Sequence, residues 1–131
     1  MMSQARRQAE LVLTFLSLET PDLRALLPEP VLLRPSQLGG TLAVIGERGM
    51  RELAAEVLLD ELWITARPVL ARLRSEGIKP DAALLRLVQY IGPDDEVGPG
   101  VPIDSRWVKA LAEFDGVIDI DQHVQEQESD G

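Results

Sequence analysis

From Met50 to Leu73, apolar residues recur every three or four positions: Met50, Leu53, Ala54, Val57, Leu58, Leu62, Ala66, Val69, Leu70 and Leu73. That spacing predicts one long amphipathic helix with a single buried stripe. Pro68 falls inside the stripe, removes one backbone donor and crowds the carbonyl four residues earlier, so the helix is expected to kink or split near Thr65 to Arg67. Gly77 ends the pattern. Elsewhere the period is shorter. Gln8 to Leu18, rich in leucine with Val12, Thr14 and Phe15, reads as a first strand, and Thr41 to Ile45, after the Gly39-Gly40 turn, as another. Ala82 to Ile91 is apolar on both faces, which predicts a strand lying centrally in a sheet. In Val117 to Val124, Ile118, Ile120 and Val124 fall on one face and Asp119, Asp121 and His123 on the other, the pattern of a strand with one buried side.

Two short helices complete the set. Thr20 can cap a helix over Pro21 to Leu27, with the proline at its first position. Asp104 or Ser105 caps another that carries Trp107, Val108, Leu111 and Phe114 and closes at Gly116. Pro28, Pro30 and Pro35 bracket PEPVLLRP, which restricts that segment to a short edge strand or an extended connection, because proline donates nothing to a ladder. Together these elements predict an α+β fold. A mixed or antiparallel sheet of about four to five strands would carry one long kinked helix and two short helices packed on it. The expected organisation is a single domain over residues 1–124 followed by a flexible acidic tail, 125–131.

Composition narrows the chemistry. A chain of 131 residues with 45% hydrophobic positions can bury a continuous core, and without cysteine it has no disulfide, thiolate nucleophile or cysteine-ligated metal. The basic and apolar start, MMSQARRQAELVLTFLSL, is interrupted by Glu10 and reads as a strand rather than a leader. No apolar run approaches the ~20 residues of a membrane span, so no membrane association and a cytoplasmic location are expected.

The net charge of −9 is placed unevenly: residues 1–92 are neutral, and residues 93–131 hold 11 acids against Arg106 and Lys109. A field of that sign repels nucleic-acid phosphates and steers cationic partners, so the C-terminal third is a poor nucleic-acid surface and a docking face for a basic protein. It also fits a plain solubilising surface with a charged tail.

Three groups of residues are candidates for chemistry. Asp119, Asp121 and His123 share a strand face, but alternate residues stand ~7 Å apart, so two can reach one ion and three in a line strain it. They offer either a metal-assisted hydrolase or a solvated, partner-facing surface. The loop GPDDEVGPG concentrates Asp94, Asp95 and Glu96 without the alternating ligands, central glycine and distant glutamate of a calcium loop. VIGERGMRELAAE places Gly46 and Gly49 around Glu47 and Arg48 before a helix. That turn resembles the Gly-x-x-Gly segment of KH RNA-binding domains, which implies a backbone approach to phosphates with Arg48 as the basic residue. It is also an ordinary tight turn at a helix start.

Read as a whole, LRLVQYIGPDDEVGPGVPIDSRWVKALAEFDGVIDIDQHV resembles the C-terminal half of a family of small bacterial α+β domains of unknown function, in which a strand, an acidic or glycine-rich loop, a short helix and a terminal strand close the fold. LVLTFLSLET and MRELAAEVLLDELW fit the same order, over roughly residues 9–124. Some relatives resemble immunity proteins of interbacterial toxin systems, which implies a binder rather than a catalyst. The expectation is a non-catalytic interaction module with no cofactor and no bound metal. It would dock a basic protein through Asp94, Asp95, Glu96, Asp119 and Asp121, and a homodimer through an exposed edge strand stays open.

Overall fold

A computed structural model describes residues 5–28, 31–46, 49–92, 101 and 103–124. The elements run β1 (Arg6–Phe15), α1 (Thr20–Leu26), β2 (Leu32–Pro35), β3 (Thr41–Gly46), α2 (Ala55–Ser75), β4 (Ala82–Ile91), α3 (Ser105–Glu113) and β5 (Val117–Val124). The strands form one five-stranded sheet in the order β2-β3-β1-β4-β5, antiparallel except for the parallel pair β4 and β5. This is the α+β class with a mixed sheet that the sequence predicts.

Alternation sorts each strand into two faces. On one face lie Leu11, Leu13 and Phe15 of β1, Ala43 and Ile45 of β3, and Ala83, Leu85 and Leu87 of β4, all buried in the single core cluster. The helices cover this face. Leu58, Leu62, Ala66, Val69 and Leu73 of α2, Leu23 of α1 and Trp107 and Leu111 of α3 join the same cluster. A three-member polar ladder crosses the same face at one end. Arg7 Nε donates to Gln89 Oε1 at 2.5 Å, and Gln89 Nε2 donates to Gln122 Oε1 at 3.3 Å. Gln89 is only 4% exposed, so these bonds meet an amide that water barely reaches.

Four expectations are corrected. The long helix begins at Ala55, not Met50, because Arg51 forms an isolated antiparallel bridge with Arg7, and Arg7 Nη1 donates to the Leu53 carbonyl at 3.0 Å. Those contacts tie Arg51 to β1 and turn the chain at Glu52 and Leu53 before the helix starts, so the apolar spacing of Met50 to Ala54 does not belong to it. Of the kink or split expected at Pro68, the split is overturned, since α2 runs unbroken over 21 residues. The carbonyl deprived of its donor is that of Ile64, a residue 72% exposed, so water can serve it. Thr20 does not cap α1: Glu19 holds the cap position with no side-chain bond, and the Thr20 hydroxyl lies 3.2 Å from that of buried Thr41. Finally, the apolar side of β5 is not buried. Ile118, Ile120 and Val124 are 39%, 41% and 52% exposed, whereas Leu85, Leu87 and Ile91, beside them on β4, are buried. The helix layer stops at β4.

Helix α3 is the crossover that returns the chain to lie parallel to β4. Asp104 caps it, accepting from the Arg106 N–H at 2.8 Å, and Arg106 reaches Asp60 of α2 at 2.8 Å. The Asp104 carboxyl is held below the usual carboxylate range, first by that backbone bond and then by the Arg106 guanidinium. A group depressed in the folded state stabilises the fold above its unfolded pKa and loses that contribution as pH falls through the folded value. Asp104→Asn keeps a capping oxygen without the charge. Its stability should therefore converge with that of the unsubstituted protein as pH falls from above the ordinary carboxylate value to below the lowered folded one, followed by urea titrations. A constant difference across that window would contradict the assigned cap.

Candidate functional site: the open face and edge of the sheet

Among the described residues no element covers the second face of the sheet, and its side chains fall into rows set by the strand register. Leu32, Val44, Val12, Leu84 and Val117 form one row that crosses all five strands and is apolar throughout. It forms the floor of a shallow concavity of about 550 Å³ between β2 and β4, rimmed by Glu10, Arg34 and Arg86. The row nearest it on one side runs Glu10, Arg86, Asp119; beyond that come Gln8, Val88, Asp121 and then Arg6, Tyr90, His123. An apolar stripe rimmed by charge is the usual make-up of a protein-docking patch.

At the β5 edge the acids are partly engaged. Arg86 Nε stands 3.4 Å from Asp119 Oδ2 across the strand pair, and both side chains are nearly half exposed. An exposed pair of this kind contributes at most about 1 kcal/mol, so it leaves Asp119 available to a competing cation. His123 Nε2 lies 3.1 Å from Asp121 Oδ2, and the His123 ring stacks on Tyr90 with centroids 4.6 Å apart. The three side chains share a face as the alternation predicts, but Asp119 turns to Arg86 rather than to the other two. Among the described residues no group of three or more His, Asp or Glu side chains could hold a metal ion.

Comparison with protein-family models, curated proteins and solved structures gives no match. The site is therefore read from its own geometry.

The remaining candidates sit apart from this edge. Asp94, Asp95 and Glu96 lie outside the described residues, as do Glu47 and Arg48 of the glycine turn. Gly46, φ 139°, closes β3, and a Cβ there would stand 2.6 Å from the Ala9 carbonyl oxygen, so close passage over β1 by itself requires glycine. Between this turn and α2 lies a cavity of about 290 Å³. Its two arginines are engaged by the chain: Arg51 with Glu61 at 2.6 Å, Arg7 with Gln89 and the Leu53 carbonyl.

Sequence reasoning found the acids of β5 but missed the apolar row. The signal was present in TLAVI and in LLRLV, strands apolar on both faces beside helices enough to cover only one.

Proposed function

We propose that this chain is a non-catalytic protein-interaction module that docks a basic partner through the acidic edge strand β5 and the adjoining open face of the sheet. The observation that carries the reading is the position of β5. It closes a sheet covered by helices on one side, exposes side chains on both faces, ends the apolar row with Val117, and sets Asp119 and Asp121 in the next two rows beside it. Apolar contact supplies affinity in such an arrangement, while the acids supply steering and register. Asp94, Asp95 and Glu96 join the proposal by charge alone. The resemblance in pattern to immunity-protein relatives favours an inhibitor of a basic partner within this class.

The test is retention of a basic protein from lysate on the immobilised chain, at low and moderate salt, compared with the double variant Asp119→Asn, Asp121→Asn. Removing two charge-assisted hydrogen bonds should lower retention at least about tenfold and flatten its salt dependence. Both residues are surface-exposed, so the variant keeps the fold. Equal retention by the two proteins would sink the reading.

A further inference from the structure

We propose that β5 accepts an added β-strand from its partner, and that this strand alternates basic with apolar side chains. The inference rests on the docking reading above and specifies the chemistry of what docks.

The two edges of the sheet differ. Strand β2 is four residues long and ends in Pro35, a length and a residue that discourage further pairing. Strand β5 has eight residues without proline, and no described residue pairs with its outer side. Alternate residues of β5 therefore turn N–H and C=O groups outward, the template on which extended peptides add to sheets.

The side chains of β5 then dictate what the added strand must carry. On the helix side, Ile118, Ile120 and Val124 are left uncovered because the helix layer ends at β4. A neighbouring strand ~5 Å away with apolar residues on that side would cover them from the flank left open. On the opposite side, Asp119 and Asp121 stand in the same strand at alternate positions, and Arg86 approaches only from β4. Lysine or arginine on that side of the added strand completes the pairs, whereas an acidic strand would set like charges opposite one another.

The same rule disfavours a second copy of this chain. In one of the two antiparallel β5–β5 registers of longest overlap, Asp121 faces Asp121 of the other copy. In the other register, Asp119 faces Asp121. A net charge of −9 on each copy adds to the repulsion.

The probes are two acetylated, amidated nonapeptides of identical composition, one alternating lysine with valine and the other with all its lysines preceding its valines. Only the first presents lysines on one face of a strand and valines on the other. Calorimetric titration is expected to give one site, with the alternating peptide bound about tenfold more tightly than its isomer. Hydrogen exchange should slow in β5 and not in β2. Ile120→Lys, a surface change outside the core, should abolish the preference between the peptides. Equal binding of both peptides without protection of β5 would overturn strand addition and leave charge-driven docking in place. Absence of binding by either peptide would also overturn strand addition. Docking itself falls only if lysate retention is the same with and without Asp119 and Asp121. Protection of β5 that accompanies self-association in sedimentation, without peptide, would assign the edge to a second copy and overturn the proposal.

Discussion

Trp107→Ala is expected to lower the unfolding free energy by about 4 kcal/mol, the largest loss from any single truncation of an α3 side chain. The indole is 1% exposed, its Nε1 donates to the Leu59 carbonyl of α2 at 3.1 Å, and it meets the Trp63 ring edge-on with centroids 5.0 Å apart. Truncation would remove the buried indole from between α2 and α3 and leave a cavity there. It would also remove the aromatic pair and a buried hydrogen bond. Against a total stability of about 5–15 kcal/mol for a domain, that is between about a quarter and four-fifths of the whole. Urea denaturation followed by circular dichroism is the appropriate measurement, since the substitution alters fluorescence. Trp107→Phe, which keeps most of the ring volume but no donor, should cost about 1–2 kcal/mol. Val108→Ala is the control one position away: its side chain is 50% exposed, and the change should stay within about 0.5 kcal/mol. A Trp107→Ala loss no larger than the control would mean that α3 does not dock on α2 as described.

Gly40→Ala is expected to cost at least about 3 kcal/mol, while Gly39→Ala, the adjacent change in the same turn, costs about 1 kcal/mol. Both glycines hold positive φ, 96° at Gly39 and 74° at Gly40, so any side chain is strained at either. The difference lies in what a Cβ would meet. At Gly39 nothing lies within 4 Å, whereas at Gly40 the Phe15 carbonyl oxygen would stand at 2.0 Å and the Leu16 Cα at 2.6 Å. Those atoms are main chain at the end of β1, where Phe15 pairs with Thr41, so relief requires moving the strand pair itself. Denaturation midpoints of the two variants decide the matter, and equal values would contradict the close approach of the turn to β1.

The alternation of β5 was legible to the residue, and so were the bounds of β4, because period-two patterning and flanking breakers are local signals. What alternation cannot state is whether a cover exists on the side it marks as apolar. Cover depends on how far three helices reach across five strands, and here they leave Ile118, Ile120 and Val124 uncovered. The start of α2 was illegible for a related reason. Met50, Leu53 and Ala54 carry helical spacing, but Arg51 pairs with Arg7 across 44 positions of sequence, and a contact of that range leaves no periodic trace. At the candidate site, the shared face of Asp119 and Asp121 was readable. The opposition of Arg86 was not, since the parallel register is set by the crossover through α3.

The ladder of Arg7, Gln89 and Gln122 has a bearing on that register. Side-chain alternation forbids a slip of one residue between parallel strands but tolerates a slip of two, which returns every side chain to its own face. Sliding β5 by two would bring Ile120 or Val124 opposite Gln89 and leave a buried amide donor unbonded, at a cost of about 1–3 kcal/mol. One glutamine pair thus indexes the strand like a notch on a ruler. It fixes which backbone groups face outward at each height along the edge, and so the depth at which an arriving strand would find its first acid.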